Sequence, residues 1–520
     1  MVGTLGELLP EAARRYGDKI ALIAEGRSLS FNALDAQSNA FANGLVAAGI
    51  APGDTVTLYG PNSWQWMVAY YAIAKAGAVV NPVNTLLTPA EVKYILGDSR
   101  ARAVVASDDK AGPLMDMKAD TGLSQVVIWG DKTPAGTMPF DAWLKDGKSS
   151  FSPRPRGAKD TGAICYTSGT TGHPKGAVQS VRSIIATAQG TALMHTRTSA
   201  DVIVSPLPNP HVYGSCVFNA SVMAGATLVL LARFSEEGVL DAIQKHRATM
   251  FDCVPTAYYY LLAHPKFGSY DLSSLTRCTV GGQTLPAAKS LEFTERTGAP
   301  VLELWGMTEL AGAATFNPYW GDNKPGTIGL PMPGMFCRIV AVDDPDKEMP
   351  AGERGELMIK GPLVMDGYAG NEKSTRETVR ADGWLHTGDI ATVDEDGYYT
   401  IVDRKKDMIL TAGYNVYPAE LERVLCMHSS VALAAVCGVA DEAKGELAKA
   451  YVMLKPGASA SGKELVEHCR QHLAAYKLPR AVQFVATVPI TGSGKIMRRL
   501  LKDVDDGTRL ATDKRETRAG

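Results

Sequence analysis

A short glycine-rich segment, residues 166–177 (YTSGTTGHPKGA), concentrates residue types that bind phosphate. Its glycines allow the backbone to approach an anion closely and to adopt positive φ. Successive backbone N–H groups, together with Ser and Thr hydroxyls, form concavities that bind anions. Lys175 adds a full positive charge. The segment therefore predicts a phosphate-binding loop, and the alternative is a glycine-rich surface turn without function.

The loop differs from the Walker A pattern, GxxxxGK[ST], which leads directly from a strand into a helix. Pro174 precedes Lys175 and disfavours helical backbone at the residue before it. Gly176 stands where Walker A has the magnesium-binding hydroxyl. Residues 160–168 (DTGAICYTS) have the composition of a strand, and the next helical pattern begins near Ser180. We therefore expect a strand, then the loop, and a helix that begins only after a gap.

The elements that must position this loop alternate between helices and strands. Residues 29–50 have helical periodicity, with Asn32 as the predicted N-cap and Gly49 as the predicted stop. Residues 54–60 (DTVTLYG) predict a strand, and residues 63–80 predict a helix followed by a strand. Such alternation predicts parallel sheets covered by helices on both faces, so the predicted fold class is α/β.

The pattern changes twice toward the C-terminus. From about residue 325, short β-branched runs separated by turn residues predict a small β-rich subdomain. After residues 400–409 (TIVDRKKDMI), a smaller unit with both strand and helix patterns begins. We predict domains at 1–403 and 404–502, and a flexible tail at 503–520, which is charged and poor in large apolar residues.

The composition is that of an ordinary globular protein, with 45% hydrophobic and 21% charged residues among 520. A net charge of -2 argues against nucleic-acid binding by counterion release. No apolar run is long enough to span a bilayer, and Glu7 and Glu11 interrupt the segment where a signal peptide has its apolar core. The eight cysteines form no CxxC pair, so we interpret them as buried and reduced. We expect a cytoplasmic protein without a nucleic-acid partner or an integral membrane segment.

Six further segments follow one another in a fixed order along the chain. They are LPNPHVYG (207–214), VGGQTLP (280–286), LWGMTE (304–309), GWLHTGD (383–389), DRKKDMILTAGYNVYPAELE (403–422) and ITGSGKIMRR (490–499). Together with the phosphate loop, this set resembles the adenylate-forming superfamily, and in particular its acyl-CoA synthetase branch. The resemblance covers roughly residues 10 to 500. It implies a large N-terminal domain and a small mobile C-terminal α+β domain.

The resemblance also implies an activity. A carboxylic acid would attack the α-phosphate of ATP to give an acyl adenylate and pyrophosphate, and the acyl group would then pass to coenzyme A with release of AMP. The acceptor could be a carrier protein, but loading of a carrier would usually come with a fused carrier domain, which is not expected here. Coenzyme A is therefore the predicted acceptor. ATP, coenzyme A and Mg²⁺ are therefore the expected substrates and cofactor.

The resemblance assigns two sets of residues to the nucleotide. The residues that would hold its β- and γ-phosphates are Thr167, Ser168, Gly169, Thr170, Thr171 and Lys175. The residues that would line its pocket are Gly281, Gly282, Gln283, Trp305, Gly306 and Met307. The ring of Trp305 would stack on adenine, Asp389 would accept hydrogen bonds from the ribose hydroxyls, and Arg404 would donate to ribose or phosphate.

The catalytic groups implied by the resemblance lie in other segments. Thr308 would contact the α-phosphate, and Glu309 would hold Mg²⁺, a hard cation that prefers carboxylate and phosphate oxygens. Lys495 would reach the attacking carboxylate and the α-phosphate, which makes it, and not Lys175, the predicted catalytic lysine. His211 would form a gate beside the acyl carboxylate. Without the resemblance, each of these would be interpreted as a structural or solvated residue.

Further residues are assigned to the acid, to coenzyme A and to domain movement. The predicted acyl pocket consists of Tyr213, Val217, Gly281 and Met307. The predicted lining of the pantetheine tunnel is Ala412, Gly413 and Tyr414. Lys406 would lie at a hinge about which the small domain swings between the two half-reactions.

The identity of the acid stays open at this point. The apolar residues near the expected pocket favour a medium- or long-chain fatty acid, and an aryl or phenylpropanoid acid is the first alternative. An ATP phosphotransferase that uses the phosphate loop, and a non-catalytic nucleotide-binding homologue, are alternatives of other classes. The sequence leaves the oligomeric state open, a homodimer included.

Overall fold

The computed structural model describes residues 3–167, 174–411, 414–441, 445–489 and 496–501. The chain divides into two compact units. The first consists of Met1–Cys337 and Met358–His386, and the second of Arg338–Leu357 and Thr387–Gly520. The second unit thus includes residues 338–357 and 387–403, which the sequence assigns to the N-terminal domain. A functional boundary at residue 403 stays a prediction.

Helices occur throughout the first unit. Within the described residues they are α1 (Leu5–Tyr16), α2 (Phe31–Ala47), α3 (Trp64–Lys75), α4 (Pro89–Asp98), α5 (Ala111–Thr121), α6 (Phe140–Asp146), α7 (Val181–Met194), α8 (Val212–Ala224), α9 (Glu236–His246), α10 (Pro255–Ala263), α11 (Ala287–Thr297) and α12 (Glu372–Thr378). Those described in the second unit are α13 (Pro418–Cys426) and α14 (Gly462–Arg470). Short 3₁₀ helices lie at Asp108–Lys110, Phe267–Ser269, Thr308–Leu310, Lys405–Asp407, Ala475–Lys477 and Arg498–Leu500.

The strands, in chain order, are β1 (Ile20–Ala24), β2 (Arg27–Ser30), β3 (Thr55–Tyr59), β4 (Val79–Val83), β5 (Ala101–Ser107), β6 (Gln125–Trp129), β7 (Met138–Pro139), β8 (Thr161–Thr167), β9 (Lys175–Ser180), β10 (Val202–Ser205), β11 (Thr227–Leu230), β12 (Met250–Cys253), β13 (Arg277–Val280), β14 (Val301–Met307), β15 (Gly312–Phe316), β16 (Leu330–Pro331), β17 (Phe336–Val340), β18 (Gly355–Lys360), β19 (Gly367–Tyr368), β20 (Leu385–Val393), β21 (Tyr399–Arg404), β22 (Ile409–Thr411), β23 (Tyr414–Val416), β24 (Val431–Asp441), β25 (Gly445–Leu454) and β26 (Ala481–Phe484).

Two large sheets form the framework of the first unit. The nine-stranded sheet has the order β16-β15-β14-β13-β12-β10-β11-β1-β2 and is parallel from β14 through β1. The eight-stranded sheet has the order β19-β9-β8-β4-β3-β5-β6-β7 and is parallel from β8 through β7. Antiparallel strands complete both edges of the nine-stranded sheet and the β9–β19 edge of the eight-stranded sheet. The predicted α/β class is confirmed.

Both faces of each large sheet are covered. Successive strand residues point to opposite faces. On β10, Ile203 belongs to one hydrophobic core cluster and its neighbour Val204 to another. On β5, Val105 and Val104 are divided between two clusters in the same way. The cluster that Ile203 and Val105 share joins both sheets to α1, α2, α3 and α8. This buried junction fixes the position of α8, which carries predicted site residues.

The predicted start of α2 is wrong by two residues. The side chain of Ser30 caps this helix by accepting a hydrogen bond from the Ala33 N–H at 3.1 Å. Asn32 lies inside the helix and donates to Asp18 instead. The predicted stop is confirmed, because the helix ends at Ala47 and Gly49 follows with a φ of 86°.

The second unit contains two smaller sheets. One has the order β17-β18-β20-β21, and its residues lie mainly in this unit. The other has the order β23-β22-β25-β24, with β26 paired to β25. Helices α13 and α14 pack on the second sheet around a core that includes Leu421, Val436 and Leu465. The unit therefore has the predicted α+β character.

Two other expectations concern the whole chain. All eight cysteines are free and six of them are buried, as expected. Within the described part of the chain, no helix combines the length and the apolar character that a membrane span needs.

A buried polar chain crosses the nine-stranded sheet. Arg197 donates two hydrogen bonds, of 3.0 and 2.9 Å, to the Asp252 carboxylate on β12, and neither side chain is exposed. The hydroxyl of Thr279 on β13 also donates to Asp252. The hydroxyls of Tyr213 and Thr279 share a further hydrogen bond of 2.7 Å. The two terminal nitrogens of Arg197, the Asp252 carboxylate and both hydroxyls therefore have partners in place of the water they lost on folding, whereas the buried Arg197 Nε has no partner among the described residues.

We expect Asp252→Asn to destabilise the first unit by about 3–5 kcal/mol, because it leaves the Arg197 charge buried without its counterion. Urea denaturation of the full chain measures the loss. The matched control is Asp120→Asn, which removes an exposed pair with Lys93 and should leave the transition unchanged. Equal effects of the two substitutions would contradict a stabilising role for the buried pair.

A second buried carboxylate gives the fold a pH dependence. Glu303 on β14 is 2% exposed and accepts hydrogen bonds from the backbone N–H groups of Gly326 and Leu285. Burial raises the pKa of Glu303 from 4.5 to about 8. Between these two values, the folded protein keeps a proton that the unfolded chain has lost. The contribution of Glu303 to stability is therefore present at low pH and is lost as the pH rises toward 8.

We expect the free energy of unfolding of the wild type to fall, relative to that of Glu303→Gln, by up to about 1.4 kcal/mol per pH unit between pH 5 and pH 8. The glutamine cannot ionise and keeps the shape of the side chain. Urea denaturation of both proteins across this range measures the difference, and parallel curves would show that Glu303 does not titrate there.

Candidate functional site

The phosphate loop connects two antiparallel strands of the eight-stranded sheet. Thr167 ends β8 and lies opposite Lys175, which begins β9. Helix α7 follows β9, and the Ser180 side chain caps it by accepting from the Ser183 N–H at 3.1 Å. The expected gap between the loop and the helix is confirmed, as is the difference from Walker A. The predicted phosphate residues Ser168, Gly169, Thr170 and Thr171 lie outside the described residues.

The residue after Lys175 must be small. A Cβ atom on Gly176 would lie 2.8 Å from Ile164 Cγ2 and 2.9 Å from Tyr166 Cζ. The Tyr166 ring is itself fixed, since its hydroxyl donates to Asp98 at 2.6 Å. Gly176 therefore permits the close packing of β9 on β8 that sets the position of Lys175.

Lys175 faces an aromatic ring that connects it to the predicted metal ligand. Its Nζ lies 5.4 Å from the ring centroid of Tyr368, within the range of a cation–π interaction. The Tyr368 hydroxyl donates to Glu309 Oε1 at 2.7 Å. Burial and the charge of Glu309 raise the pKa of Tyr368 above its ordinary value, so the hydroxyl stays protonated at neutral pH. The structure thus brings together a cation, a tyrosine and a carboxylate.

The backbone around Glu309 is held from both sides. Gln179 on β9 donates from Nε2 to the Thr308 carbonyl at 2.8 Å. The N–H of Met365 donates to the Glu309 carbonyl at 2.9 Å. The segment at the end of β14 is therefore tied to the strand that follows the phosphate loop, although β14 and β9 belong to different sheets.

Three of the predicted segments meet at one edge of the nine-stranded sheet. Residues 207–214 follow β10, residues 281–283 follow β13, and residues 305–309 complete and follow β14. These strands are parallel within one sheet, so their carboxyl ends lie at the same edge, where α/β proteins bind ligands. The topology brings together segments that are far apart in the sequence.

Glycines at this edge allow close approach of the chain. A Cβ atom on Gly306 would lie 1.9 Å from the Gly312 carbonyl oxygen, and one on Gly281 would lie 2.4 Å from Leu304 Cδ1. Trp305 and Met307, on either side of Gly306, are half-buried. Gly306 therefore permits the close packing of β14 on β15, and Gly281 permits close packing against Leu304.

Helix α8 presents the predicted acid-binding residues. His211 is its N-cap, and its Nδ1 accepts a hydrogen bond of 3.2 Å from the Tyr213 N–H. Nδ1 therefore acts as an acceptor and any ring proton of the neutral form lies on Nε2. Tyr213 and Val217, one turn apart, are 4% and 1% exposed. The hydrogen bond to Thr279 holds the Tyr213 ring in place.

The predicted ribose-binding pair lies in the second unit. Asp389 on β20 and Arg404 on β21 are opposite each other in antiparallel register, and Arg404 Nε lies 3.2 Å from Asp389 Oδ1. Asp389 is buried, whereas about half of the Arg404 side chain is exposed. The pair leaves the guanidinium able to reach a ligand while its position is fixed by the carboxylate.

Other predicted residues of the second unit are partly described. Lys406 lies in the 3₁₀ helix Lys405–Asp407. Tyr414 begins β23, is exposed, and stacks on Tyr476 with ring centroids 4.7 Å apart. Ala412, Gly413 and the predicted catalytic lysine, Lys495, lie outside the described residues.

Several residues with a part in these arrangements were missed by the sequence analysis. Tyr368 is 59 residues from Glu309 in the chain, and nothing near it predicts their contact. Gln179 lies just beyond the quoted loop. Arg498 lies within a quoted segment and bridges Asp403, Asp407 and Glu422 at 2.7 to 3.3 Å. The sequence contains no local signal for these contacts, because the partners lie far apart in the chain.

The donor set around Glu309 fits Mg²⁺. Glu309 is 7% exposed, and its carboxylate accepts, among the described residues, one hydrogen bond, from Tyr368 to Oε1. No group of three His, Cys, Asp or Glu side chains that could hold a metal exists within the described residues. Mg²⁺ is commonly held by one or two carboxylates together with substrate phosphates. A single carboxylate near a phosphate loop is suited to that mode.

Comparison with known proteins identifies the family of the chain. A family model described as AMP-binding enzyme matches residues 9–369, and one described as AMP-binding enzyme C-terminal domain matches residues 420–495. A long-chain-fatty-acid–CoA ligase of Bacillus subtilis (strain 168) is 34% identical over 528 residues, covering 96% of this chain and 94% of the relative. A feruloyl-CoA synthase of an Amycolatopsis species is 35% identical over 499 residues, covering 95% and 97%.

A solved structure matches over nearly the whole length. The crystal structure of the anthranilate CoA ligase AuaEII in complex with anthranoyl-AMP has a TM-score of 0.91 to this chain at 30% identity, and 97% of each chain is covered. The two family models, the similar relatives and this solved structure all agree with the family that the sequence segments indicated. The chain therefore belongs to the AMP-binding enzymes of the adenylate-forming superfamily, in its AMP-forming acyl-CoA synthetase branch.

Proposed function

We propose that this protein activates a medium- or long-chain fatty acid with ATP and transfers the acyl group to coenzyme A. The reaction releases pyrophosphate in the first half and AMP in the second. The observation that carries the proposal is the arrangement of Lys175, Tyr368 and Glu309 beside the phosphate loop. It provides a cation for the phosphates and a buried carboxylate for the metal that accompanies them.

In the first half-reaction, a carboxylate oxygen of the acid forms a bond to the α-phosphorus of ATP, and the bond from that phosphorus to the bridging oxygen of pyrophosphate breaks. Lys175 would bind the β- and γ-phosphates, which become the leaving pyrophosphate. Thr308, at the end of β14, would contact the α-phosphate. Mg²⁺ held by Glu309 and the phosphates would supply charge neutralisation at the phosphate oxygens. Fixed charges of this kind act without reorganisation during the reaction.

Lys495 would provide the second cation for this step, placed at the attacking carboxylate and the α-phosphate. The proposal rests on the resemblance of residues 490–499 to a segment of the family, and the match to the family's C-terminal domain extends to Lys495. Two separate lysines suit a reaction in which charge moves from the acid to the leaving group. Lys175 would stabilise that leaving group, whereas Lys495 would bring the two negatively charged reactants together.

In the second half-reaction, the thiol of coenzyme A attacks the acyl carbonyl, a C–S bond forms, and the bond from the carbonyl carbon to the AMP oxygen breaks. We propose that Ala412, Gly413 and Tyr414 line the path of the pantetheine arm, and that Lys406 lies at the hinge between the two half-reactions. Asp389 would accept hydrogen bonds from the ribose hydroxyls, and Arg404 would donate to ribose or phosphate. The exposed part of Arg404 and its fixed orientation support this role.

The apolar character of the predicted acid pocket supports a fatty acid. Its described members Tyr213, Val217, Gly281 and Met307 carry no charge, and Tyr213 and Val217 are buried. A second carboxylate or an ammonium group on the substrate would lose its hydration there without gaining a partner. An aryl or phenylpropanoid acid is the second candidate, because one of the similar relatives is a feruloyl-CoA synthase.

We expect Lys495→Ala to lower the rate of acyl-adenylate formation by about 10²–10³-fold, since a group that stabilises transition-state charge is lost. Thioester formation from supplied acyl-AMP and coenzyme A should stay near the wild-type rate. Lys175→Ala should weaken the use of ATP less than Lys495→Ala does. Pyrophosphate exchange measures the first half-reaction, and acyl-CoA formation from acyl-AMP measures the second.

The control for this comparison is Lys463→Ala, which removes an exposed lysine of α14 in the same unit as Lys495. It should change neither half-reaction. Equal loss of both half-reactions in Lys495→Ala would refute the assigned role, and damage from Lys175→Ala that equals or exceeds it would refute the division between the two lysines.

We expect a panel of carboxylic acids, supplied with ATP and coenzyme A, to give acyl-CoA and AMP with C8 to C18 fatty acids as the best substrates. Mass spectrometry identifies both products. If cinnamate- or benzoate-type acids react faster, the proposed substrate is an aryl or phenylpropanoid acid and not a fatty acid. Release of ADP in place of AMP would instead indicate a phosphotransferase.

A further inference from the structure

We propose that Tyr368 is a positioning residue for the nucleotide-bound metal. Its hydroxyl orients the Glu309 carboxylate, and its ring keeps Lys175 apart from that carboxylate. The inference depends on the proposed function, because it requires Glu309 to be a metal ligand.

The position of Tyr368 is set by the strand that follows the phosphate loop. Residues Gly367 and Tyr368 form β19, which pairs antiparallel with β9, so that Tyr368 lies opposite Ala177. The Ala369 N–H donates to the Gly176 carbonyl at 2.8 Å. The backbone of Tyr368 is therefore fixed relative to the exit of the loop and to Lys175.

A hydrogen bond to α12 fixes Tyr368 on its other side. The Tyr368 N–H donates to Thr375 Oγ1 at 2.9 Å. A Cβ atom on the preceding Gly367 would lie 2.8 Å from Thr375 Cγ2, so the close packing of β19 on α12 requires glycine there. Because its backbone is held from two directions, the tyrosine has a defined point from which to reach Glu309.

The hydroxyl of Tyr368 restrains one oxygen of the carboxylate. It donates to Glu309 Oε1 at 2.7 Å, and hydrogen bonds to ionised groups are stronger than those to neutral ones. This contact limits rotation of the carboxylate and turns the second oxygen, Oε2, to a fixed direction. Partners of this kind orient metal-binding groups, and their loss commonly weakens metal binding 10–100-fold.

The ring of Tyr368 has a separate effect. Lys175 lies over the ring, whereas Glu309 lies at its hydroxyl. Among the described residues, Lys175 and Glu309 form no ion pair with each other. A direct pair would neutralise both charges before ATP arrives. The tyrosine therefore leaves the cation available to phosphate and the carboxylate available to the metal.

The test uses Tyr368→Phe in the full chain, which removes the hydroxyl and keeps the ring over Lys175. The probes are Mn²⁺ and α,β-methylene-ATP, an analogue whose α–β bond cannot be cleaved, and electron paramagnetic resonance measures the bound Mn²⁺. We expect the affinity of the enzyme–analogue complex for Mn²⁺ to fall about 10-fold. The affinity for the analogue without a divalent metal should stay within about twofold of wild type, since the phosphate contacts are unchanged.

The stability control is Tyr71→Phe. Tyr71 is a buried residue of α3 whose hydroxyl donates to Asn219 at 3.2 Å, so this substitution also removes a tyrosine hydrogen bond from the first unit. It should leave Mn²⁺ affinity at the wild-type value. An equal loss of Mn²⁺ affinity in Tyr71→Phe and Tyr368→Phe, or no loss in either, would overturn the positioning role.

A double variant distinguishes failure of this inference from failure of the proposed function. Glu309→Gln should abolish nucleotide-linked Mn²⁺ binding, and adding Tyr368→Phe to it should cause no further change. If Glu309→Gln binds Mn²⁺ as the wild type does, the metal role in the proposed function is wrong and the inference falls with it. If Glu309→Gln loses Mn²⁺ but Tyr368→Phe does not, only the role of Tyr368 is overturned.

Discussion

The candidate nucleotide site depends on the hydrogen bonds that tie the end of β14 in one sheet to the edge of the other. Gln179 holds the Thr308 carbonyl, and Tyr368 holds the Glu309 carboxylate. Gln179 lies on β9, which follows the phosphate loop, and Tyr368 lies on β19, which pairs with β9. These two strands therefore hold both Glu309, which would bind the metal, and Lys175, which would bind phosphate. Displacement of either sheet would change the distance between these groups. The position of one charge is therefore coupled to that of the other.

The predicted acid-binding residues depend on a different interaction, a chain of buried hydrogen bonds. The Tyr213 ring is held through Thr279 by Asp252, and Asp252 is held by the buried guanidinium of Arg197. Breaking such a buried pair costs several kcal/mol, so the ring cannot turn away easily. Polar groups behind Tyr213 thus hold a residue of the predicted acid pocket rigid, and the proposed specificity toward the acid does not require charged residues in that pocket.

Local patterns predicted local structure well and long-range contacts poorly. The helix of residues 31–47 follows from its periodicity, yet its cap is Ser30 and not Asn32, because both residue types suit that position and tertiary packing selects between them. The seven ordered segments predicted the family and the activity. Tyr368 was missed because tyrosine is common in cores and its partner Glu309 is distant in the chain. The boundary between the two units lies before residue 403, at His386 and Thr387. This is because β20 pairs with β21 and therefore belongs to the same sheet of the second unit.

The sequence alone determined the α/β class and the family, and it predicted a phosphate loop that departs from Walker A, since each of these depends on residue types at short spacing or in fixed order. Only the tertiary structure decided which of the residues meet. Parallel strands bring 207–214, 281–283 and 305–309 to one edge, and the pairing of β19 with β9 places Tyr368 between Lys175 and Glu309. Such pairing is set by packing and hydrogen bonding over the whole unit, which no short segment contains.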